Sequence, residues 1–535
     1  MPAFSPSISS RLAFVGALVA LAGAAIAPAH AESVYRRGES GDSSSFDPAK
    51  TSTVVEGNVL ADLFETLVVY DGKAQLQPGA AESWTISDDG LTYTFKLRAG
   101  NWSNGDPLKA GDFVFAFRRL VDPSTGAPYA NLYFPIKNAQ AINKGDKKPE
   151  ELGVTAPDDK TLVVTLERAT PYMLTVFAHQ TASPVSQANV EKFGKDFAKP
   201  GNLVSNGAYK LDAFTPNDQT VLTRNDKFRD AAQVKIDKEI YVSLEDRSAA
   251  LKRFQAGELD SYDDVPADQI PYIRQTLKDQ FKVAPYLGTY YFSFDTRKPP
   301  FDDARVRNAL SMVIDREFLA EKIWGGAMLP AYGFVPPGID NYGAERQAAF
   351  AKLSPIERED KAKALLKEAG YGEGGKPLAI EIRYNTSDNH KNTSVAIAEA
   401  WKALGVQTTL VNTDIKAHYG LLQSGGEYQV ARAGWVGDYS DPQNFLFLAQ
   451  SDNPKLNYAH YANRDYDADM AKAGNERDLK KRAAIFADAE DMLLRDQPVM
   501  PLLYYTSKNL VSPKLKGWET NILDRHPARY LSLAP

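Results

Sequence analysis

The chain has 535 residues, of which 43% are hydrophobic and 24% charged, the composition of an ordinary globular protein. Its net charge of −6 at pH 7 argues against nucleic acid or an anionic membrane as the partner. The absence of cysteine excludes disulfides, thiol nucleophiles and the cysteine that a lipid anchor requires. At roughly 150 residues per domain, we expect about three domains, or two with a large insertion.

The first 31 residues differ in composition from the rest. An uncharged apolar stretch over residues 14–28 follows Arg11 and ends in the small-residue pattern Ala29-His30-Ala31. The stretch is too short to span a bilayer, so it predicts a secretory signal peptide cleaved after Ala31. A retained membrane anchor is the weaker alternative. We therefore expect a soluble mature protein in an oxidising compartment, without disulfides.

The first half of the mature chain mixes helical and strand patterns. Apolar spacing of three and four predicts helices over 59–67 and 110–120, and strict alternation predicts strands over 91–97 and 161–166. These elements indicate a compact α+β insertion over 65–188.

The middle of the chain begins with a hairpin-like pair, 204–211 and 219–224. A helix over 246–256 is expected to end at Gly257 as its C-cap. A tyrosine-rich strand over 286–294 then leads to a helix that starts near Asp302.

The C-terminal part predicts a parallel strand pair. A strand over 378–384, a helix over 391–404 and a strand over 406–412 form a βαβ pattern. Helices near 465–473 and 479–495 follow, and then an apolar run over 499–505.

The stretch Ala431 to Pro442 concentrates the candidate functional residues. It places Arg432, Trp435 and Asp438 within seven residues, separated by two glycines that allow close backbone approach. If all three side chains enter one cleft, they suit a ligand with an amine, apolar groups and a carboxylate. An ordinary strand-to-loop corner, with the tryptophan in the core and the charges in solvent, is the alternative that these twelve residues alone favour.

Two other motifs lie in predicted structures that do not support the functions they usually indicate. Residues 370–375 match GxGxxG, but they close a helix over 360–369 and precede a strand, so Gly370 is interpreted as a helix C-cap. Asp465, Asp467, Asp469 and Glu476 have calcium-loop spacing within a stretch that is predicted to be helical. No metal-binding histidine pair and no hydrolase motif occurs, so neither a metal, a cofactor nor catalysis is expected.

Six phrases in chain order resemble those of one family. They are Ser205-Asn206-Gly207-Ala208-Tyr209, Gly257-Glu258-Leu259-Asp260, residues 299–307 with Asp315-Arg316, Pro330-Ala331-Tyr332-Gly333, residues 384–391 and residues 434–442. Together they resemble the periplasmic peptide-binding proteins that deliver ligands to ABC importers, within extracellular solute-binding protein family 5. The similarity is greatest to the oligopeptide-binding branch.

The resemblance implies an α/β fold with two lobes, a hinge between them and an inserted third α+β domain. The first lobe would comprise 32–64, 189–290 and 506–535, the inserted domain 65–188 and the second lobe 291–505. Ligand would be enclosed between the lobes.

The resemblance also implies roles for nine residues. Asp438 would hold the α-ammonium of a peptide, Trp435 would line a side-chain pocket, and Gly434 would lie in backbone that pairs with the peptide as an added strand. The remaining residues would receive the C-terminal carboxylate or surround the cleft with rings: Arg432 and His390 for the carboxylate, and Tyr129, Tyr286, Tyr291 and Tyr505 for the rings. A relative carries an acid where Ser293 stands here, so the resemblance implies no preference for basic side chains at that point.

The implied function is delivery of short peptides to an inner-membrane ABC permease by a monomeric binding protein without a cofactor. A receptor of the same fold for dipeptides, opines, a nickel complex or haem is the first alternative. A secreted hydrolase is the distant alternative.

Overall fold

The computed structural model describes residues 32–339, 341–343, 345–372 and 374–534. The predicted signal peptide, residues 1–31, lies outside the described residues. In the described part of the chain, no helix is both long and apolar enough to cross a membrane.

The strands are β1 (Val34–Glu39), β2 (Val68–Tyr70), β3 (Leu76–Pro78), β4 (Ala81–Ile86), β5 (Thr92–Leu97), β6 (Val154–Asp158), β7 (Thr161–Thr165), β8 (Tyr209–Thr215), β9 (Gln219–Arg224), β10 (Lys238–Ser243), β11 (Ser261–Tyr262), β12 (Phe281–Phe294), β13 (Leu329–Pro330), β14 (Leu378–Asn385), β15 (Val406–Thr413), β16 (Val430–Val436), β17 (Val499–Val511), β18 (Leu515–Lys516) and β19 (Ser532–Leu533).

The α-helices are α1 (Val54–Leu63), α2 (Ala110–Val121), α3 (Ala139–Asn143), α4 (Met173–Val176), α5 (Gln187–Phe193), α6 (Arg247–Gln255), α7 (Ile270–Leu277), α8 (Ala304–Met312), α9 (Arg316–Phe318), α10 (Pro355–Glu368), α11 (Asp388–Lys402), α12 (Ile415–Gln423), α13 (Gln443–Leu446), α14 (Arg464–Asn475) and α15 (Leu479–Asp496).

One large sheet runs through the protein in the order β15-β14-β16-β12-β17-β11-β1-β10-β9-β8, with β13 on the side of β17. The two longest strands, β12 and β17, pair antiparallel at its centre with two register shifts. The lobe boundaries expected near residues 290 and 505 fall within these two strands. The α/β fold class is confirmed, and β12 and β17 are the strands that connect the two halves of the sheet.

The predicted βαβ unit is confirmed. β14 and β15 pair in parallel from Leu378 with Val406 to Asn385 with Thr413. The connecting helix α11 buries Trp401 completely, and the Trp401 Nε1 donates to the Leu310 carbonyl at 2.8 Å. Because α11 begins at Asp388 rather than near Lys391, His390 is the third residue of the helix.

The stretch over 65–188 contains a separate antiparallel sheet of four strands, β4-β5-β7-β6. Its core is rich in aromatic residues: Phe95 of β5 packs edge-on against Phe177 with ring centroids 5.4 Å apart. Phe177 also contacts Phe117 of α2. Rings buried in such pairs contribute area and a directional contact, and they belong to one hydrophobic cluster that continues into the first part of the large sheet.

Helix α1 begins and ends earlier than the predicted range over 59–67. Thr53 and Glu56 form a capping box that starts the helix at Val54. After Leu63 the backbone becomes extended, and the Glu65 amide donates to the Asn206 side chain at 3.1 Å. A Cβ on Gly207 would lie 2.6 Å from the Leu63 carbonyl carbon, so glycine at this position allows the segment Ser205-Asn206-Gly207 to pack directly against the end of α1.

Two pairs of carboxyl groups, three of the four groups buried, lie near Arg37 in the first part of the sheet. Arg37 Nε binds Glu39 at 2.7 Å, and Asp62 accepts from the Tyr241 hydroxyl at 2.8 Å. Glu239 is fully buried and neither of its oxygens has a donor, and burial together with Asp62 raises its pKa well above the ordinary value. Burial and Glu39 raise the pKa of Asp263 in the same way, so the folded protein favours the protonated forms of Glu239 and Asp263.

Candidate functional site

Strand β16 and the loop after it bring the candidate residues of the 431–442 stretch to one region. Arg432 and Gly434 lie opposite Phe292 and Tyr290 of β12, so they share one face of the sheet. Trp435 lies opposite Thr289 and therefore points to the other face. The Gly437 amide donates to the Leu287 carbonyl at 2.7 Å and continues the pairing of the two strands by one residue, so Asp438 follows directly after the end of the ladder.

Asp438 is a largely buried carboxylate, 14% exposed, without a charged partner in direct contact among the described residues. The Tyr129 hydroxyl donates to its Oδ1 at 3.1 Å. His179 Nε2 is 4.0 Å from the same oxygen, but burial keeps the pKa of His179 well below its usual value, so the imidazole is neutral. Burial raises the pKa of Asp438 to about 6, against the opposing effects of Tyr129 and the more distant Arg525.

Asp438 opens into a cavity of about 240 Å³. Five separate parts of the chain contribute to its wall besides the 435–438 segment: residues 52–54 at the start of α1, Tyr129, His179 with Gln180, Tyr286 of β12, and Leu523 with Arg525. The cavity is therefore formed jointly by the first lobe, the inserted domain and the second lobe as the sequence divides them. We call it the amine cavity.

The loop that carries Asp438 is held by buried polar contacts. Asn444 Oδ1 accepts from the Trp435 Nε1 at 2.9 Å and from the Asp438 amide at 3.2 Å. Arg482 of α15 donates to both oxygens of Asp441, at 2.6 and 2.8 Å, with 3% and 10% of the two side chains exposed. A buried bidentate pair fixes direction as well as distance, so the loop geometry is set before ligand arrives.

Arg432 is the opposite charge at the other end of β16, and it is 7% exposed. Its guanidinium donates to the hydroxyls of Tyr419 at 2.9 Å and Tyr505 at 2.8 Å, and to Asn385 at 3.2 Å. Within the described residues no carboxylate lies within 4.0 Å of it, and its Nε has no acceptor. A buried guanidinium that is solvated only by neutral groups retains a strong attraction for an anion.

His390 lies close to Arg432. Its Nδ1 is 3.2 Å from the Tyr290 hydroxyl, and the Arg432 guanidinium lies over the Tyr290 ring at 4.8 Å. Burial and the nearby Arg432 lower the pKa of His390 to about 2, so the ring is neutral. It is therefore available as a hydrogen-bond donor and not as a second cation.

The predicted aromatic residues divide between the two ends of the site. Tyr129 and Tyr286 line the amine cavity, and Tyr505 contacts Arg432. Tyr291 lies elsewhere: it is 2% exposed and packs against Phe334 on the sheet face opposite Arg432. Tyr290, which the sequence did not single out, takes the place beside Arg432 and His390.

Sequence reasoning also missed His179, Arg525 and Asn444, which contact or surround Asp438 and Trp435. None of them belongs to a local motif. His179 and Arg525 enter from parts of the chain remote from 431–442, and only the tertiary fold brings them there.

One backbone edge of β16 is open over most of its length. β12 pairs with it from Val430 to Val436, whereas β14 pairs with it only at Val430 and Ala431. Among the described strands, none covers the second edge from Arg432 to Val436. Gly434 lies in the middle of this edge, and a Cβ there would come within 2.7 Å of the Tyr505 hydroxyl.

The residues that the structure describes include no group of three or more His, Cys, Asp or Glu side chains placed to hold a metal ion. What the arrangement offers instead is two buried charges of opposite sign, six residues apart in the chain, Arg432 on β16 and Asp438 in the loop after it. An open strand edge lies between them.

Comparison with known proteins gives a consistent result. The model of bacterial extracellular solute-binding proteins, family 5 Middle, matches residues 75–457. The periplasmic oligopeptide-binding protein OppA of Haemophilus influenzae is 40% identical over 89% of this chain and 88% of its own. The periplasmic murein peptide-binding protein MppA of Escherichia coli is 39% identical over 89% of this chain and 88% of its own. The solved structure of Haemophilus influenzae OppA with the peptide RPPGFSPFR has a TM-score of 0.82 at 38% identity, covering 95% of this chain and 100% of that one.

Proposed function

The chain belongs to the bacterial extracellular solute-binding proteins of family 5, and from that membership we propose that it is a receptor for short peptides. It would hold a peptide between its lobes by both termini and by its backbone. It would then deliver the peptide to an ABC permease of the inner membrane.

The observation that carries this proposal is the pair of buried, uncompensated charges. Asp438 has no cation in direct contact and Arg432 has no carboxylate, in the part of the chain that is described. A free peptide is a zwitterion, and its ammonium and carboxylate complement both groups at once. A ligand with only one charge would leave the other buried charge unpaired, at a cost of several kcal/mol.

Backbone pairing would supply affinity that does not depend on side chains. The free edge of β16 around Gly434 presents N–H and C=O groups to an extended peptide lying between the two charges. Trp435 would line a side-chain pocket. His390, as a neutral donor at the start of α11, and the helix N-terminus itself would receive the carboxylate of a peptide too long to end at Arg432.

Titration calorimetry with three matched peptides tests the proposal: Ala-Ala-Ala, its N-acetyl form and its C-terminal amide. Each blocked form should bind roughly 100-fold more weakly or worse, because each leaves one buried charge without a partner. Asp438→Asn should reduce binding of the free peptide while it abolishes the penalty for acetylation. Equal affinity of the free and acetylated peptides for the wild-type protein would contradict the role of Asp438.

The alternatives within the family differ in ligand mass. Native mass spectrometry of the protein purified from cells should show a ladder of peptide masses. A single mass would instead favour an opine, a nickel complex or haem, and a set confined to dipeptides would favour a dipeptide receptor. A secreted hydrolase would release products from a peptide library, which a receptor returns intact.

We propose that the protein acts in the periplasm as a monomer, after cleavage at Ala31. The relatives named above are periplasmic proteins, and the sequence contains no cysteine for lipid attachment. The intact mass of the exported protein tests the cleavage site, since the mature chain should begin at Glu32. Sedimentation equilibrium with and without peptide tests the monomeric state.

A further inference from the structure

The amine cavity contains a second charged group, the Arg525 guanidinium, which has no part in the proposed binding of the peptide termini. Arg525 lines the cavity together with Asp438, from the C-terminal segment that follows the last long strand. Its Nη2 donates to the Gln180 Oε1 at 3.1 Å, and Gln180 lines the same cavity. In the described part of the chain no carboxylate lies within 4.0 Å of the Arg525 guanidinium, so its charge is available within the cavity.

The other titratable groups near the cavity either bind partners elsewhere or are neutral. Glu56 accepts from the Ser52 amide at 2.8 Å and the Thr53 amide at 3.0 Å, so its charge is used at the N-terminus of α1. Asp524, next to Arg525 in the chain, accepts from Asn509 at 2.7 Å and contacts His526 at 3.0 Å. His179 is neutral. The charges facing the cavity are therefore one carboxylate, Asp438, and one guanidinium, Arg525.

A peptide that places its ammonium on Asp438 changes this balance. The ammonium neutralises the carboxylate and leaves Arg525 as the uncompensated charge in an enclosed space. A neutral first side chain leaves the cavity with a net positive charge, and a basic one increases that charge. An acidic first side chain restores neutrality and gives the guanidinium a bidentate acceptor.

We propose that Arg525 makes the amine cavity selective for peptides whose first residue carries a carboxylate side chain. This inference rests on the proposed function and names the ligand class within it. The carboxylate lies between Arg525 and Gln180, while the α-ammonium of the same residue binds Asp438. Gln180 holds the guanidinium in place and can turn its amide group to donate to the ligand oxygen.

Calorimetry with Glu-Ala-Ala, Gln-Ala-Ala and Lys-Ala-Ala tests the selectivity. Glutamate and glutamine have nearly the same shape, so the ratio of their affinities reports the charge alone. For the wild-type protein we expect Glu-Ala-Ala to bind about tenfold more tightly than Gln-Ala-Ala, and Lys-Ala-Ala to bind most weakly. Added salt should reduce the ratio less than it reduces the effect of an exposed charge.

Arg525→Gln should bring the ratio of Glu-Ala-Ala to Gln-Ala-Ala close to one and leave the affinity for Gln-Ala-Ala within about threefold of wild type. Arg525→Lys should retain the preference for glutamate in part, because it keeps the charge without the planar pair of donors. Arg464→Gln, at an exposed site at the start of α14, removes the same charge away from the cavity and should leave all three affinities unchanged.

Equal binding of the glutamate and glutamine peptides by the wild-type protein would overturn the inference, even if Arg525→Gln fails to fold. A loss of affinity for all three peptides by the same factor in Arg525→Gln would also overturn it, because Arg525 would then only support the cavity. Tight, unselective binding of all three peptides leaves the proposed function standing and refutes this inference alone. Binding of none of them refutes both.

Discussion

The elevated pKa of Asp438 predicts that peptide affinity falls as the pH falls through 6. The unliganded carboxyl has a pKa of about 6 because it is buried without a cation in contact, and the ligand ammonium requires its ionised form. At pH 7 about nine-tenths of the protein is ionised at this position, and at pH 5 about one-tenth. The dissociation constant for Ala-Ala-Ala should therefore rise roughly tenfold from pH 7 to pH 5 and level off above pH 7.

The sign follows from linkage: binding favours the deprotonated carboxyl, so at pH 5 each binding event releases close to one proton. Calorimetry in two buffers of different ionisation enthalpy measures that number directly. His390 does not contribute over this range, because burial lowers its pKa to about 2, and burial also keeps the pKa of His179 well below its usual value. Asp438→Asn should bind weakly, with no dependence on pH between 5 and 7. An affinity in the wild-type protein that stays constant from pH 7 to pH 5 would refute the reasoning.

Three further predictions concern the support of the site and the stability of the fold. Gly434→Ala places a Cβ within 2.7 Å of the Tyr505 hydroxyl, so calorimetry should show weaker peptide binding. The control variant Gly474→Ala lies in open space within α14 and should leave peptide binding unchanged. Because alanine favours the helix over glycine, Gly474→Ala should also raise the free energy of unfolding by up to about 1 kcal/mol. Arg482→Met leaves Asp441 buried without its partner and should lower the free energy of unfolding in urea by about 3–5 kcal/mol. Lys147→Met, in the exposed pair with Glu151, should cause a much smaller loss, and similar losses in the two variants would contradict the account. Burial and the neighbouring Asp62 raise the pKa of Glu239 in the folded protein, so the contribution of Glu239 to stability should fall as the pH rises above its unfolded pKa. Glu239→Gln should therefore gain on wild type by up to about 1.4 kcal/mol per pH unit, and parallel curves of unfolding free energy against pH would contradict the raised pKa.

Much of the fold follows from local pattern. The βαβ unit over 378–413, the helices of the C-terminal part and the C-cap at Gly370 are confirmed. These features were predictable because the spacing of apolar residues and the capping residues can be recognised within a short stretch of sequence. The limits of α1 were less predictable. Its start depends on the capping box of Thr53 and Glu56, and its end on a contact with Gly207 from a distant part of the chain.

The candidate site was predictable where it is local. Arg432, Trp435 and Asp438 lie in one stretch with glycines between them, and the structure places them along one strand and the loop after it. Which tyrosine of β12 stands beside Arg432 depends on register, since a shift of one residue exchanges the faces of the sheet. The structure selects Tyr290. His179 and Arg525 could not be found from local pattern, because burial and cavity walls depend on the tertiary fold.

A crystal structure with a bound tripeptide tests the central claim most directly. The account predicts that the peptide ammonium lies within about 3 Å of an Asp438 carboxylate oxygen, with the backbone paired to the free edge of β16 and the carboxylate directed towards Arg432. A peptide bound in the reverse direction, or one that leaves Asp438 without a nitrogen in contact, would contradict it.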